Sequence, residues 1–60
     1  MTQSEFLACV EYILHLTGRP FARANLQAYI ESMWPHIEED ADAGRWAAEF
    51  LEARDAAAIG

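Results

Sequence analysis

The 60-residue sequence contains no lysine and a single cysteine, and both scarcities restrict the kinds of protein it can be. Cys9 cannot form an internal disulfide, and one unpaired thiol suits a reducing compartment. Four arginines oppose ten acidic residues, for a formal net charge of −6. Nucleic acid and anionic membranes both require a cationic surface on the protein, so this balance disfavours binding to either.

Long apolar runs are also lacking. No segment approaches the roughly 20 apolar residues that a membrane-spanning helix needs. The first five residues carry no basic group of the kind that opens a signal peptide. We therefore expect a cytoplasmic protein that makes no membrane contact.

Large apolar side chains are abundant, and their spacing predicts an all-α fold. They recur with the helical period in three segments, over residues 3–17, 22–33 and 42–57, and no segment alternates with the period of a strand. Thr2 and Glu5 fit a capping box at the start of the first helix. Gly18 is suited to the left-handed position that follows a helix. Proline disfavours helical geometry at the residue before it, so the second helix should end near Pro35, where a short extra turn is expected.

The apolar arc of the first helix is unusually wide, covering roughly 180° when each residue turns by about 100°. One neighbouring helix covers less than that. We therefore expect the first helix to pack against both others in a three-helix domain. The predicted core consists of Phe6, Val10, Ile13, Leu14, Leu26, Ile30, Met33, Trp46 and Phe50.

The acidic run 38–42 is the strongest candidate for chemistry. With Glu38 as position 1 of a calcium-binding loop, Asp40, Asp42 and Glu49 fall on ligand positions 3, 5 and 12. Position 6, however, is Ala43 where the loop needs a turn-forming glycine. The preferred interpretation is that these acids solvate the loop and cap the third helix, whose N-terminus favours negative charge.

Other metal and catalytic sites lack their components. The two histidines, His15 and His36, have only Cys9 and carboxylates to complete a zinc site. Cys9 and His15 lie roughly 9 Å apart along a helix, too far to share a metal ion. The sequence contains no Ser/His/Asp set and no glycine-rich phosphate loop. We expect no enzyme activity, no bound metal and no cofactor.

The arginines allow one alternative from a different functional class. Arg19 and Arg23 form a local positive patch around the turn between the first two helices, which could imitate part of a helix-turn-helix nucleic-acid-binding domain. The third helix would then read the nucleic acid, but it carries three acids beside its two arginines. A weaker alternative is an acidic mimic of nucleic acid.

The favoured function is protein–protein association. A chain of this length buries only about 60% of its unfolded surface, and this one has neither a disulfide nor a metal to support it. The sequence thus predicts a small acidic interaction module, namely an adaptor, inhibitor or accessory subunit, bound to a protein partner or to itself as a homodimer. Candidate contact residues lie on the flanks of the apolar arc and before Pro35: Leu7, Tyr12, Leu14, Leu16 and Trp34.

Overall fold

The computed structural model describes the backbone of residues 1–59 and the side chains of residues 1–57. It contains three α-helices: α1 over Gln3–Thr17, α2 over Arg23–Met33 and α3 over Ala43–Ile59. A single 3-10 turn, Trp34–His36, follows α2 directly. The described residues form no strand, so the predicted all-α three-helix fold is confirmed.

The ends of α1 follow from its capping residues. The Thr2 hydroxyl accepts a hydrogen bond from the Glu5 amide at 3.1 Å, and the Glu5 carboxylate accepts one from the Thr2 amide at 3.0 Å. These bonds satisfy two amide donors at the helix start. At the other end, Gly18 adopts the left-handed conformation with φ of 73°, and its amide donates to the His15 carbonyl. The chain therefore leaves α1 where the sequence predicts.

The other two helices start within the limits that the sequence indicates, at Arg23 and directly after Asp42. α2 begins at Arg23. Its N-cap residue, Ala22, has no side chain that could form a capping hydrogen bond. Asp42 lies outside α3, and its carboxylate accepts a hydrogen bond from the Gly44 amide at 2.9 Å. Asp42 is thus the capping residue of α3, as the sequence predicts. At its far end α3 continues to Ile59, two residues beyond the predicted end.

The hydrophobic core lies between α1 and the other two helices. Its buried residues are Phe6, Val10, Leu14, Leu26, Ile30, Ala47, Phe50 and Leu51. Six of the nine predicted core residues are among them. The other three are only partly buried, so their prediction as buried core residues is wrong: Ile13, Met33 and Trp46.

The rotation of α3 explains why Trp46 is not in the core. The buried positions of α3 are Ala47, Phe50 and Leu51, which follow the i, i+3, i+4 spacing of one helical face. Ala47, the small residue of this face, is 2% exposed and belongs to the core cluster. The larger Trp46 indole lies at the edge of this face, with its ring centre 6.4 Å from that of Tyr29.

Polar contacts hold the turn between α1 and α2 against α3. The Arg19 guanidinium forms an ion pair with Asp55 at 2.6 Å, and Arg54 donates to the Pro20 carbonyl. Arg54 also pairs with Asp55 at 3.1 Å. These contacts link residues 19 and 20, which precede α2, to the C-terminal half of α3.

Candidate interaction surface

The outer face of α1 carries an exposed apolar stripe. Tyr12 and Leu16 are 64% and 70% exposed, and Cys9 is exposed as well. The spacing of these three residues places them on one side of the helix, within an arc of about 60°. Tyr12 lies roughly 160° around the helix axis from the fully buried Val10. We call Cys9, Tyr12 and Leu16 the outer stripe.

The outer faces of α2 and α3 have a different character. On α2 the exposed residues include Gln27 and Glu31, which are hydrogen-bonded to each other at 3.4 Å. On α3 the exposed residues include Arg45, Glu49 and Glu52, interspersed with alanines. Among the residues whose side chains are described, the large hydrophobic residues that are exposed are Met1, Tyr12 and Leu16. The apolar surface is therefore concentrated on α1.

The structure separates the five predicted contact residues. Tyr12 and Leu16 lie together on the outer stripe, whereas Leu7 is half-buried against the core, about 180° around α1 from Leu16. Trp34 is also half-buried, with its ring centre 5.8 Å from that of Phe6, so it acts as a lid on the core. Leu14 does not lie on the surface, because it is 0% exposed and its side chain is enclosed by the domain itself.

Cys9 belongs to the exposed surface and was not among the predicted contacts. The signal was present in the sequence, since residues 9, 12 and 16 share one helical face. The apolar arc of α1 is so wide, however, that periodicity alone does not reveal which part of it turns toward the core.

Three of the four arginines form ion pairs with acids of the same domain. Arg23 forms an ion pair with Glu11 at 3.0 Å, and both Arg19 and Arg54 pair with Asp55. The hydrogen bond from Arg19, followed by that from Arg54, lowers the pKa of Asp55 below its ordinary value. Eight of the ten acids, all except Glu11 and Asp55, form no ion pair with an arginine in the described part of the chain. The described surface of the domain therefore carries mainly negative charge.

Within the acidic run 38–42, Asp42 caps α3. Asp42 is committed to the Gly44 amide, and Glu49 lies about two turns into α3 rather than beside the loop. In the part of the chain that the structure describes, no three His, Cys, Asp or Glu side chains are close enough together to hold a metal ion.

The helix geometry does not favour the helix-turn-helix alternative. Residues 34–42 separate α2 from α3, whereas that motif joins its helices through a turn of about three or four residues. Arg54, which would have faced the nucleic acid, is turned toward the Pro20 carbonyl. The exposed side of α3 retains one arginine, Arg45, among acids.

A small cavity of about 260 Å³ lies between the 3-10 turn, the loop that follows it and the first turn of α3. Its walls are formed by His36, Glu38, Ala41, Asp42, Arg45 and Trp46. The volume lies below the range of roughly 300–1,000 Å³ that is usual for small-molecule and cofactor sites.

Comparisons of the chain with protein-family models, with curated proteins and with solved structures gave no match. Within the described residues, no helix has the length and apolar character required to cross a membrane.

Proposed function

We propose that this chain is a small acidic protein–protein interaction module with no catalysis of its own, and that it docks through the outer stripe of α1. The observation that carries the proposal is the adjacent exposure of Tyr12 and Leu16, one turn apart, directly opposite the core. Large apolar residues that are exposed side by side are candidates for a binding surface. Tyrosine is also enriched at the centres of protein interfaces.

The stripe fits recognition of a helix by a groove. α1 has 15 residues and is therefore about 22 Å long. Anchors at positions i, i+3 and i+7 are the pattern by which an amphipathic helix fills an apolar groove in its partner. Cys9, Tyr12 and Leu16 have this spacing, and the tyrosine hydroxyl can remain at a wet rim while its ring is covered.

Charge favours a different protein over a second copy as the partner. Two copies with a net charge of −6 each would repel one another, whereas a basic partner would be attracted. A standard interface also covers about 800 Å² on each partner, and one side of a single short helix supplies only part of that area. A groove that wraps around α1 covers more of it, so we favour a larger partner with an apolar groove and a basic rim. The homodimer is the second arrangement.

The experiment is capture of partners from cells of the native host, quantified by mass spectrometry. Leu16→Glu places a charge in the stripe, and Ala28→Glu adds the same charge at an exposed position of α2. We expect Leu16→Glu to lose the partner and Ala28→Glu to retain it, with equal helical circular dichroism for both variants. Equal capture by the two variants would contradict docking through α1.

Two further measurements separate the alternatives. Sedimentation equilibrium should show a monomer at micromolar concentrations, and a dimer that Leu16→Glu disrupts would establish the homodimer instead. An acidic mimic of nucleic acid would depend on charge rather than on the stripe. In that case Glu49→Gln combined with Glu52→Gln would abolish capture, and Leu16→Glu would not.

A further inference from the structure

The cavity beside Trp46 has the composition of a pocket for a cationic side chain. Its walls supply the carboxylates of Glu38 and Asp42 together with the Trp46 indole. Tryptophan is the best aromatic partner for a cation over its face, and a nearby carboxylate adds a charge-assisted hydrogen bond. The indole is only half-buried, so part of its surface remains available to a ligand.

The size of the cavity selects a single side chain rather than a whole small molecule. The cavity volume of about 260 Å³ is below that of usual small-molecule sites. That space is too small for most cofactors, as noted above, but it accommodates one long side chain entering from a protein surface.

The charge balance of the walls favours a cation over an anion. Arg45 also lines the cavity, but it forms no ion pair with Glu38 or Asp42 in the described part of the chain. One carboxylate oxygen of Asp42 accepts the Gly44 amide hydrogen bond, while Glu38 has no side-chain partner in the described part of the chain. Two carboxylates therefore oppose one guanidinium, in a molecule whose net charge is −6.

We propose that this cavity receives an arginine side chain of the partner protein, an inference that rests on the proposed function and specifies the chemistry of the partner. Arginine is favoured over lysine because its planar guanidinium can stack on the indole while donating to a carboxylate. The cavity and the outer stripe then form two separate contacts, one charged and one apolar.

The test uses the full chain, the probe N-acetyl-arginine methylamide and the two indole N–H signals in proton–nitrogen NMR spectra. Trp34→Phe assigns these signals, since Trp34 does not line the cavity. We expect the Trp46 signal to shift saturably at millimolar probe concentrations while the Trp34 signal changes little. N-acetyl-lysine methylamide should bind more weakly, and N-acetyl-aspartate methylamide should not bind.

Three variants test which charged side chains contribute to binding of the arginine probe. Glu38→Gln should weaken binding of the arginine probe by roughly two- to fivefold, the range for a partly exposed ion pair. Glu39→Gln is the matched control, because the neighbouring acid carries the same charge but does not line the cavity. Arg45→Gln should tighten binding, because it removes a competing cation from the wall.

Several results would overturn the assignment: no saturable shift of Trp46, equal weakening by Glu38→Gln and Glu39→Gln, or a lysine probe that binds as tightly as the arginine probe. Binding of the aspartate probe that is lost in Arg45→Gln would make the cavity an anion site. None of these outcomes depends on Tyr12 or Leu16 of the outer stripe. Failure here combined with stripe-dependent capture would therefore remove the cavity assignment alone.

Discussion

Two leucines of α1 show how strongly the burial of a residue depends on its position around the helix axis. Leu14 is 0% exposed and Leu16 is 70% exposed, although they are two positions apart in the same helix. A step of two residues rotates a side chain by about 200°, which carries it from the core to the opposite face. Residue type alone did not distinguish them, and the sequence placed both among the candidate contacts.

The pair provides a matched test of the core assignment. Leu14→Ala should lower the free energy of unfolding by about 2–5 kcal/mol, because it removes buried contacts and leaves a cavity. Leu16→Ala should change it by no more than about 0.5 kcal/mol, as is usual for exposed positions. Urea denaturation followed by circular dichroism measures both. Equal destabilisation by the two substitutions would show that α1 is rotated relative to this description.

Among the helices and turns, the sequence predicts those features that are determined by a local signal. Thr2 and Glu5 predicted the capping box, Gly18 the end of α1 and Pro35 the extra turn, because each acts through the backbone within a few residues. The rotation of α3, which buries Ala47 and leaves Trp46 at the edge of the core, depends instead on packing between residues far apart in the sequence.

The same limit applies to the candidate site. Periodicity identified Tyr12 and Leu16 as apolar residues on α1, but only packing shows that they face away from the core. The cavity beside Trp46 likewise combines a loop with the first turn of α3, and no pattern in the sequence brings these residues together.

The contact between the α1–α2 turn and α3 should respond to pH. The hydrogen bonds from Arg19 and Arg54 lower the pKa of Asp55 in the folded state. A carboxyl whose pKa is lower when folded adds stability above its unfolded pKa of about 3.9, and that stability is lost as the pH falls through the folded value.

We therefore expect Asp55→Asn to reduce the difference in melting temperature between pH 6 and pH 3. The variant should be less stable than the parent at pH 6 and closer to it at pH 3. Glu52→Gln is the control, because Glu52 forms no ion pair among the described residues and lies on the same helix. If Asp55→Asn kept the full pH dependence of the parent, the contact with α3 would not form in solution.

At the scale of the whole molecule, the domain divides its surface by chemistry. Three of its four arginines are engaged in internal ion pairs, so the exposed charge is mainly acidic, while its exposed large apolar residues are concentrated on α1 apart from Met1. A basic partner with an apolar groove is complementary to both features. Electrostatic attraction would speed the encounter, and burial of the stripe would hold the complex together.

The most direct test of this account is site-specific photo-crosslinking in cells of the native host. A benzophenone side chain would replace Tyr12 in the outer stripe or, as the control, Glu52 on the exposed face of α3. We expect one dominant crosslinked protein from position 12, lost when Leu16→Glu is added, and little product from position 52. No crosslink from position 12, or the same products from both positions, would contradict docking through α1.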